Sequence, residues 1–240
     1  MYDRIGRSYA ATRQEDPRIA AVIHGALGDA STVLNVGAGS GSYEPRDRNV
    51  TAVEPSAVMR AQRSPGAAPC IDARAEALPF PDRSFDATMA VLSDHHWEDR
   101  LGGLRELRRV GRRAVVFQWD PAYTDAFWLA RDYLPSFPDP QGVTLAETEA
   151  ALGATRKLPV PIPHDCRDGF LMAYWRRPEA YLDPRVRANI SVFSLLPAAE
   201  VEAMVRHLRA DLASGAWQRR NEELLELTEL DFGYRVIVAD

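Results

Sequence analysis

Thr32-Val33-Leu34-Asn35-Val36-Gly37-Ala38-Gly39-Ser40-Gly41 is the stretch on which the fold of this 240-residue chain turns. Its first half is a short run rich in β-branched and apolar residues, the pattern of a buried strand. Its second half is Gly-x-Gly-x-Gly, where glycine lets the backbone turn tightly and lets a ligand approach with no Cβ in the way. A second apolar run, Val50-Thr51-Ala52-Val53, ends in Glu54. A carboxylate at a strand end can accept two hydrogen bonds from ribose hydroxyls. Between the two runs, Ser42 is followed by Tyr43, Glu44 and Pro45. That crossover is short, with little room for the long helix whose N-terminus holds the pyrophosphate of a dinucleotide. It suits a nucleoside ligand without one.

Working outward, Asp16-Pro17 reads as a helix N-cap followed by proline at the first helical position, with Ile19, Ile23 and Leu27 on one face and Gly28 able to end the helix. Ser56 can cap a short helix through Met59. Cys70-Ile71 reads as a brief third strand, 85–92 as a fourth and 113–119 as a fifth, with Leu101, Leu104 and Leu107 on a helix between the last two, closed by Gly111. Alternating strand and helix patterns imply a parallel sheet with right-handed helical crossovers. After Pro121 the rhythm changes. A short aromatic helix spans 127–134, Thr144-Leu145-Ala146-Glu147 forms a capping box, and 155–162 reads as a strand placed at an edge by Pro159 and Pro161. Residues 164–228 read as helical, and 234–238 as a last strand. The expected fold class is therefore α/β: a doubly wound, mostly parallel, Rossmann-like sheet with a C-terminal antiparallel strand and a helical cap insertion. Residues 1–163 and 229–240 form the sheet domain, 1–28 of it an N-terminal lid and helix, and 164–228 the cap.

Composition narrows the function classes. The net charge of −5 disfavours a large nucleic-acid footprint. Two cysteines, Cys70 and Cys166, can form neither a disulfide framework nor a four-ligand zinc site. No signal peptide and no window of 18 apolar residues is visible, so a soluble cytoplasmic protein is expected, with no membrane or nucleic-acid partner, as a monomer or homodimer.

Four segments resemble the class I methyltransferases, in particular the small-molecule branch similar to ubiquinone and trans-aconitate methyltransferases (methyltransferase type 11). The glycine turn after Val33-Leu34-Asn35-Val36 resembles their first motif, and Ala52-Val53-Glu54-Pro55-Ser56 their ribose-binding strand end. Ala75-Glu76-Ala77-Leu78-Pro79-Phe80-Pro81, with Ser84-Phe85-Asp86, resembles the segment around the adenine. Leu92-Ser93-Asp94-His95-His96-Trp97 is similar to the loop after their fourth strand, and Tyr2-Asp3 with Tyr9 and Arg13 to their N-terminal lid. The resemblance implies S-adenosyl-L-methionine as cofactor, a small-molecule acceptor, and no metal. It implies a cofactor site of Asn35, Gly37, Ala38, Gly39, Gly41, Glu54, Pro55, Arg74, Ala75, Glu76, Leu92 and Ser93, with Tyr9 and Arg13 closing over it. Two positions depart from the family pattern. Asn35 stands where an aspartate is usual, and Arg74 where an aspartate often contacts the adenine amino group. Asp72 is a candidate to compensate.

Methyl transfer from a sulfonium is an in-line displacement governed by alignment, to which a base can contribute. His95 and His96, just past the fourth strand, are candidate bases, or one of them packs against or caps the following helix. His164 and Asp165 could act as base and orienter, or Asp165 could simply cap a helix. Tyr9, Trp97, Trp119, Phe127, Trp128, Tyr174 and Trp175 are candidate pocket aromatics, most of them core. Two other readings stay open at this point: a nicotinamide-dependent oxidoreductase, which shares the glycine turn and the acid, and a protein that keeps the cofactor fold without methyl transfer, a cyclase or a regulator.

Overall fold

A computed structural model describes residues 13–137, 144–154 and 156–240. Helix α1 (Pro17–Ala26) starts at an Asp16 cap whose carboxylate accepts from the Arg18 amide. The chain then enters β1 (Thr32–Val36) and β2 (Asn49–Val53), with no helix between them. Helix α2 (Ala57–Arg60), capped by Ser56, leads to β3 (Cys70–Ile71) and β4 (Phe85–Val91). Helix α3 (Arg100–Val110) runs directly into β5 (Gly111–Trp119). Then come α4 (Trp128–Tyr133), α5 (Leu145–Leu152) with the expected capping box, β6 (Arg156–Pro159) and β7 (Ile162–Pro163).

Among the described residues the main sheet has the order β3-β2-β1-β4-β5-β9-β6, where β9 is Tyr234–Ala239. The first five strands are parallel, and β9 lies antiparallel between β5 and β6. The central strands read as near-continuous apolar runs because both faces are covered. On one face Val33, Met89, Phe117 and Val236 pack with Ile19 and Ile23 of α1; on the other Leu34, Ala90, Val116 and Ile237 pack with Leu104 and Leu107 of α3.

The segment between β6 and β9 departs from the expected pattern in two ways. The strand expected over 155–162 ends at Pro159, and Ile162–Pro163 forms a separate ladder with β8 (Glu229–Leu230). The segment expected to be helical is mostly single turns up to residue 194: Leu171–Tyr174, Pro178–Leu182, α6 (Pro184–Ala188) and Ser191–Ser194. Pro178 and Pro184 each open a new element, since proline lacks the N–H that would continue a helix. The long helix is α7 (Ala198–Ser214), with Met204 and Leu208 buried and Val201, Val205 and Leu212 partly so, followed by α8 (Ala216–Arg220) and α9 (Glu222–Leu225). This segment shares the α1-side core of the sheet through Phe170, Trp175, Tyr181 and Trp217. Trp175 Nε1 donates to the Ile162 carbonyl, and Trp128 Nε1 of α4 donates to the Trp175 carbonyl, tying the segment to that helix. Among the described residues no helix is long and apolar enough to cross a membrane.

Candidate functional site

The strand order reverses between β1 and β4, and crevices outside the carboxyl ends of strands at such a switch point are where open α/β sheets bind ligands. The glycine turn lies there. Gly37 and Ala38 donate their N–H groups to the Val53 carbonyl at 2.9 and 3.0 Å, which stitches the turn to β2. Gly37, Gly39 and Gly41 all have positive φ (68°, 53° and 95°). At Gly37 the reason for glycine is a protein neighbour: a Cβ there would lie 2.7 Å from the Ser93 Cβ. Ser93 in turn donates its hydroxyl to the Val36 carbonyl at 3.0 Å, and Leu92 leaves β4 with φ 48°. A left-handed leucine is strained by about 1–3 kcal/mol, and such strain concentrates at functional sites.

Glu54 is 7% exposed at the end of β2. Its Oε2 accepts from the Gly39 N–H at 2.9 Å and its Oε1 from the Ser56 N–H at 2.8 Å. Among the described residues no cation pairs with this carboxylate; Arg60 donates to the Glu54 and Pro55 carbonyls and to Asp72 instead. Each oxygen therefore keeps an acceptor position, which fits a vicinal diol.

Asn35 is buried and turned beneath the turn, where its amide donates to Glu44 Oε1 at 3.1 Å. Glu44 forms a buried ion pair with Arg63, whose Nη2 lies 2.8 and 2.9 Å from the two carboxylate oxygens and also donates to the Ala68 carbonyl. An aspartate at 35 would face Glu44 directly, so Asn35 belongs with this neighbour.

On the β3 side, Ala75 and Leu78 are buried in the α3-side core. Arg74 turns away into an exposed ion pair with Glu98, Glu76 accepts from the Asp99 amide, and Asp72 is paired with Arg60. Asp72 is thus engaged elsewhere, and what Arg74 and Ala75 present here is backbone.

Past β4, Asp94, His95 and His96 form a single 3₁₀ turn. The two imidazoles lie against each other, centroids 3.8 Å apart and planes tilted by 48°. His95 is exposed at its surface, while the protein crowds the ring closely enough that desolvation first, then Arg100 and Arg13, hold its pKa at about 4. Desolvation and the His95 ring, opposed by Asp94, bring His96 to about 2. Both are neutral at pH 7. The fully buried Asp94 receives Arg100 on Oδ2, Nε at 2.8 Å and Nη2 at 2.7 Å, while its Oδ1 has no donor among the described residues. Sequence reasoning passed over Asp94, which is legible only as a neighbour of the histidines. His164 sits apart from this turn: it follows β7, and its N–H donates to the Thr228 carbonyl. Asp165 caps no helix and pairs with Arg18.

Arg13 is engaged with Asp168, a fully buried carboxylate of the inserted segment, through Nε at 2.6 Å and Nη2 at 3.3 Å. The same carboxylate accepts from the Tyr43 hydroxyl at 3.0 Å. Nothing in the sequence marked Asp168 or Tyr43. Tyr9 and the rest of the expected lid lie outside the described residues. Of the candidate aromatics, Phe127, Trp128 and Trp175 are fully buried core, whereas Trp97, Trp119 and Tyr174 keep accessible surface. Among the described residues no group of three or more metal-ligating side chains gathers.

Comparison with known proteins places this geometry. A family described as a methyltransferase domain matches residues 34–117. A solved structure of a candidate methyltransferase from an antibiotic biosynthesis pathway of Anabaena variabilis ATCC 29413 is 33% identical, covers 94% of this chain and 97% of its own, and superposes with a TM-score of 0.80. The [4+2]-cyclase SpnF is 15% identical over 99% of this chain and 92% of its own, with a TM-score of 0.55, a likeness of fold alone. No curated protein matches.

Proposed function

The chain belongs to the class I S-adenosylmethionine-dependent methyltransferases, and from that premise we propose that it transfers the methyl group to a small-molecule acceptor. The observation that carries the reading is Glu54: a nearly buried carboxylate with no cation beside it among the described residues, fixed by the Gly39 and Ser56 amides at the end of β2, with one acceptor position left on each oxygen. The residues present fit the cofactor. Glu54 would take the ribose hydroxyls, the backbone of Arg74 and Ala75 would meet the adenine, and the Gly37 to Gly41 turn would hold the rest of the molecule. The helix-free first crossover removes the element on which a dinucleotide would rest its pyrophosphate, so the nicotinamide reading loses support.

When bound, the cofactor supplies a methyl group on a sulfonium that opens to in-line attack. The work of this chain is then to align and to exclude water, and alignment alone can lower such a barrier by about 7–11 kcal/mol. His95 and His96, lying against each other and neutral at pH 7, can accept a hydrogen bond from the acceptor without placing a second positive charge beside the sulfonium. The accessible faces of Trp97, Trp119 and Tyr174 suit an apolar acceptor or a cationic centre. Residues 164–228, bonded at Asp168 to Arg13 and Tyr43, serve as the cover of the acceptor side.

The test is transfer itself. The purified chain is incubated with methyl-labelled S-adenosylmethionine and fractionated low-mass metabolites. Label in a low-mass product, matched by S-adenosylhomocysteine, is expected. Label retained on the cofactor with every fraction, together with no binding of S-adenosylhomocysteine, would overturn the proposal.

A further inference from the structure

In nucleotide-binding sheets of this kind a helix ordinarily follows the glycine turn and holds it in place. Here residues 37–48 contain no helix, and the turn is held by two buried ion pairs reached through consecutive residues. On one side Glu44 pairs with Arg63, whose Nη1 also donates to the Gly39 carbonyl at 3.4 Å. On the other side the Tyr43 hydroxyl donates to Asp168, itself paired with Arg13.

The geometry points to Tyr43 as a positioning residue for the cofactor, a role that rests on the methyltransferase reading above. Tyr43 has φ 65° and is 1% exposed, a conformation that a residue with a Cβ keeps only when its surroundings impose it. The surroundings do so from three directions. His24 Nε2 donates to the Tyr43 carbonyl at 3.0 Å, the Asp16 N–H to its hydroxyl oxygen at 3.4 Å, and the hydroxyl itself to Asp168 at 3.0 Å. Ser42 adds a bond from its hydroxyl to the Arg13 carbonyl. Because Asp168 belongs to the inserted segment, the shape of the cofactor turn is tied to the seating of that segment. Burial, reinforced by the Asp168 charge, drives the Tyr43 phenol well above its ordinary pKa, so it remains a donor at any working pH. The hydroxyl does not contact reacting atoms; it acts through the backbone of Gly39 to Gly41, and through it on the amide that holds Glu54.

Tyr43→Phe removes only the oxygen. Calorimetric titration with S-adenosylhomocysteine should give a dissociation constant raised roughly three- to tenfold, the range expected for one lost hydrogen bond to a charged group acting at one remove. The KM for S-adenosylmethionine should rise in parallel, while kcat at saturating cofactor stays within about twofold. Asp168→Asn, which keeps the shape and weakens the same bond, should move affinity in the same direction and serves where the phenylalanine variant does not fold. A lowered melting temperature with the dissociation constant and KM unchanged, in whichever variant folds, would reduce Tyr43 to a purely structural role and overturn the inference. Failure of the unsubstituted protein to bind S-adenosylhomocysteine would instead strike the proposed function itself.

Discussion

Glu54→Ala should separate ligand affinity from fold stability. The carboxylate offers about four acceptor positions. Two are taken by the Gly39 and Ser56 amides at 2.9 and 2.8 Å, leaving two for the ribose hydroxyls. A hydrogen bond to a charged group is worth about 1.5–3 kcal/mol, so two set an upper bound of about 3–6 kcal/mol. Rehydration of the freed hydroxyls lowers the loss to about 2–4 kcal/mol, or roughly 30- to 1000-fold in the dissociation constant. The fold loses less. The two freed amides border the crevice and can bond to water, and removing a nearly buried charge offsets part of the change. A net loss of about 1 kcal/mol corresponds to a melting temperature lower by about 2–4 °C for a chain of this length. Titration calorimetry with S-adenosylhomocysteine and thermal unfolding without ligand measure the two effects separately. A folded variant that binds within about threefold of the parent would show that Glu54 does not hold the diol, and the reasoning from its two remaining acceptor positions would be wrong.

Asn35→Asp restores the residue usual in the family, yet it should destabilise this chain by about 2–4 kcal/mol and weaken cofactor binding, because the new carboxylate replaces an amide lying 3.1 Å from Glu44 inside the fold. Denaturant unfolding should show part of the loss recovered on acidification, and a variant as stable as the parent at pH 8 would contradict it. The histidine pair should make the protein acid-sensitive in a defined window. Their folded pKa values, about 4 and about 2, lie below the ordinary 6.5, so the unfolded chain takes up the protons first. Stability is then complete above about pH 6.5 and falls as the pH drops toward 4. The His95 and His96 imidazole resonances of the native protein should not titrate between pH 6 and 8, and a native midpoint near 6.5 for His95 would refute the assignment.

The parts of the fold written as local patterns could be read directly. The β-branched run before Gly37, the Asp16-Pro17 cap and the Thr144 capping box each encode their structure within a few residues, and each forms as read. Glu54 was legible because it ends a strand beside a glycine turn. Asp168 was not, since its partners Arg13 and Tyr43 lie 155 and 125 residues away and no local pattern links them. The same holds for Glu44, whose role appears only once Asn35 and Arg63 are brought together. The segment 164–196 carries apolar and aromatic residues at spacings that suit a helix, but its prolines cut it into single turns held by tertiary packing.

The central claim, a site built for S-adenosylmethionine, is tested most directly by calorimetric titration of the purified chain with S-adenosylmethionine, S-adenosylhomocysteine and, in parallel, NADH and NADPH. Saturable binding of the first two at one site per chain, with no heat from either nicotinamide, is the predicted result. Saturable binding of NADH or NADPH, with none of the sulfur nucleosides at millimolar concentration, would contradict it.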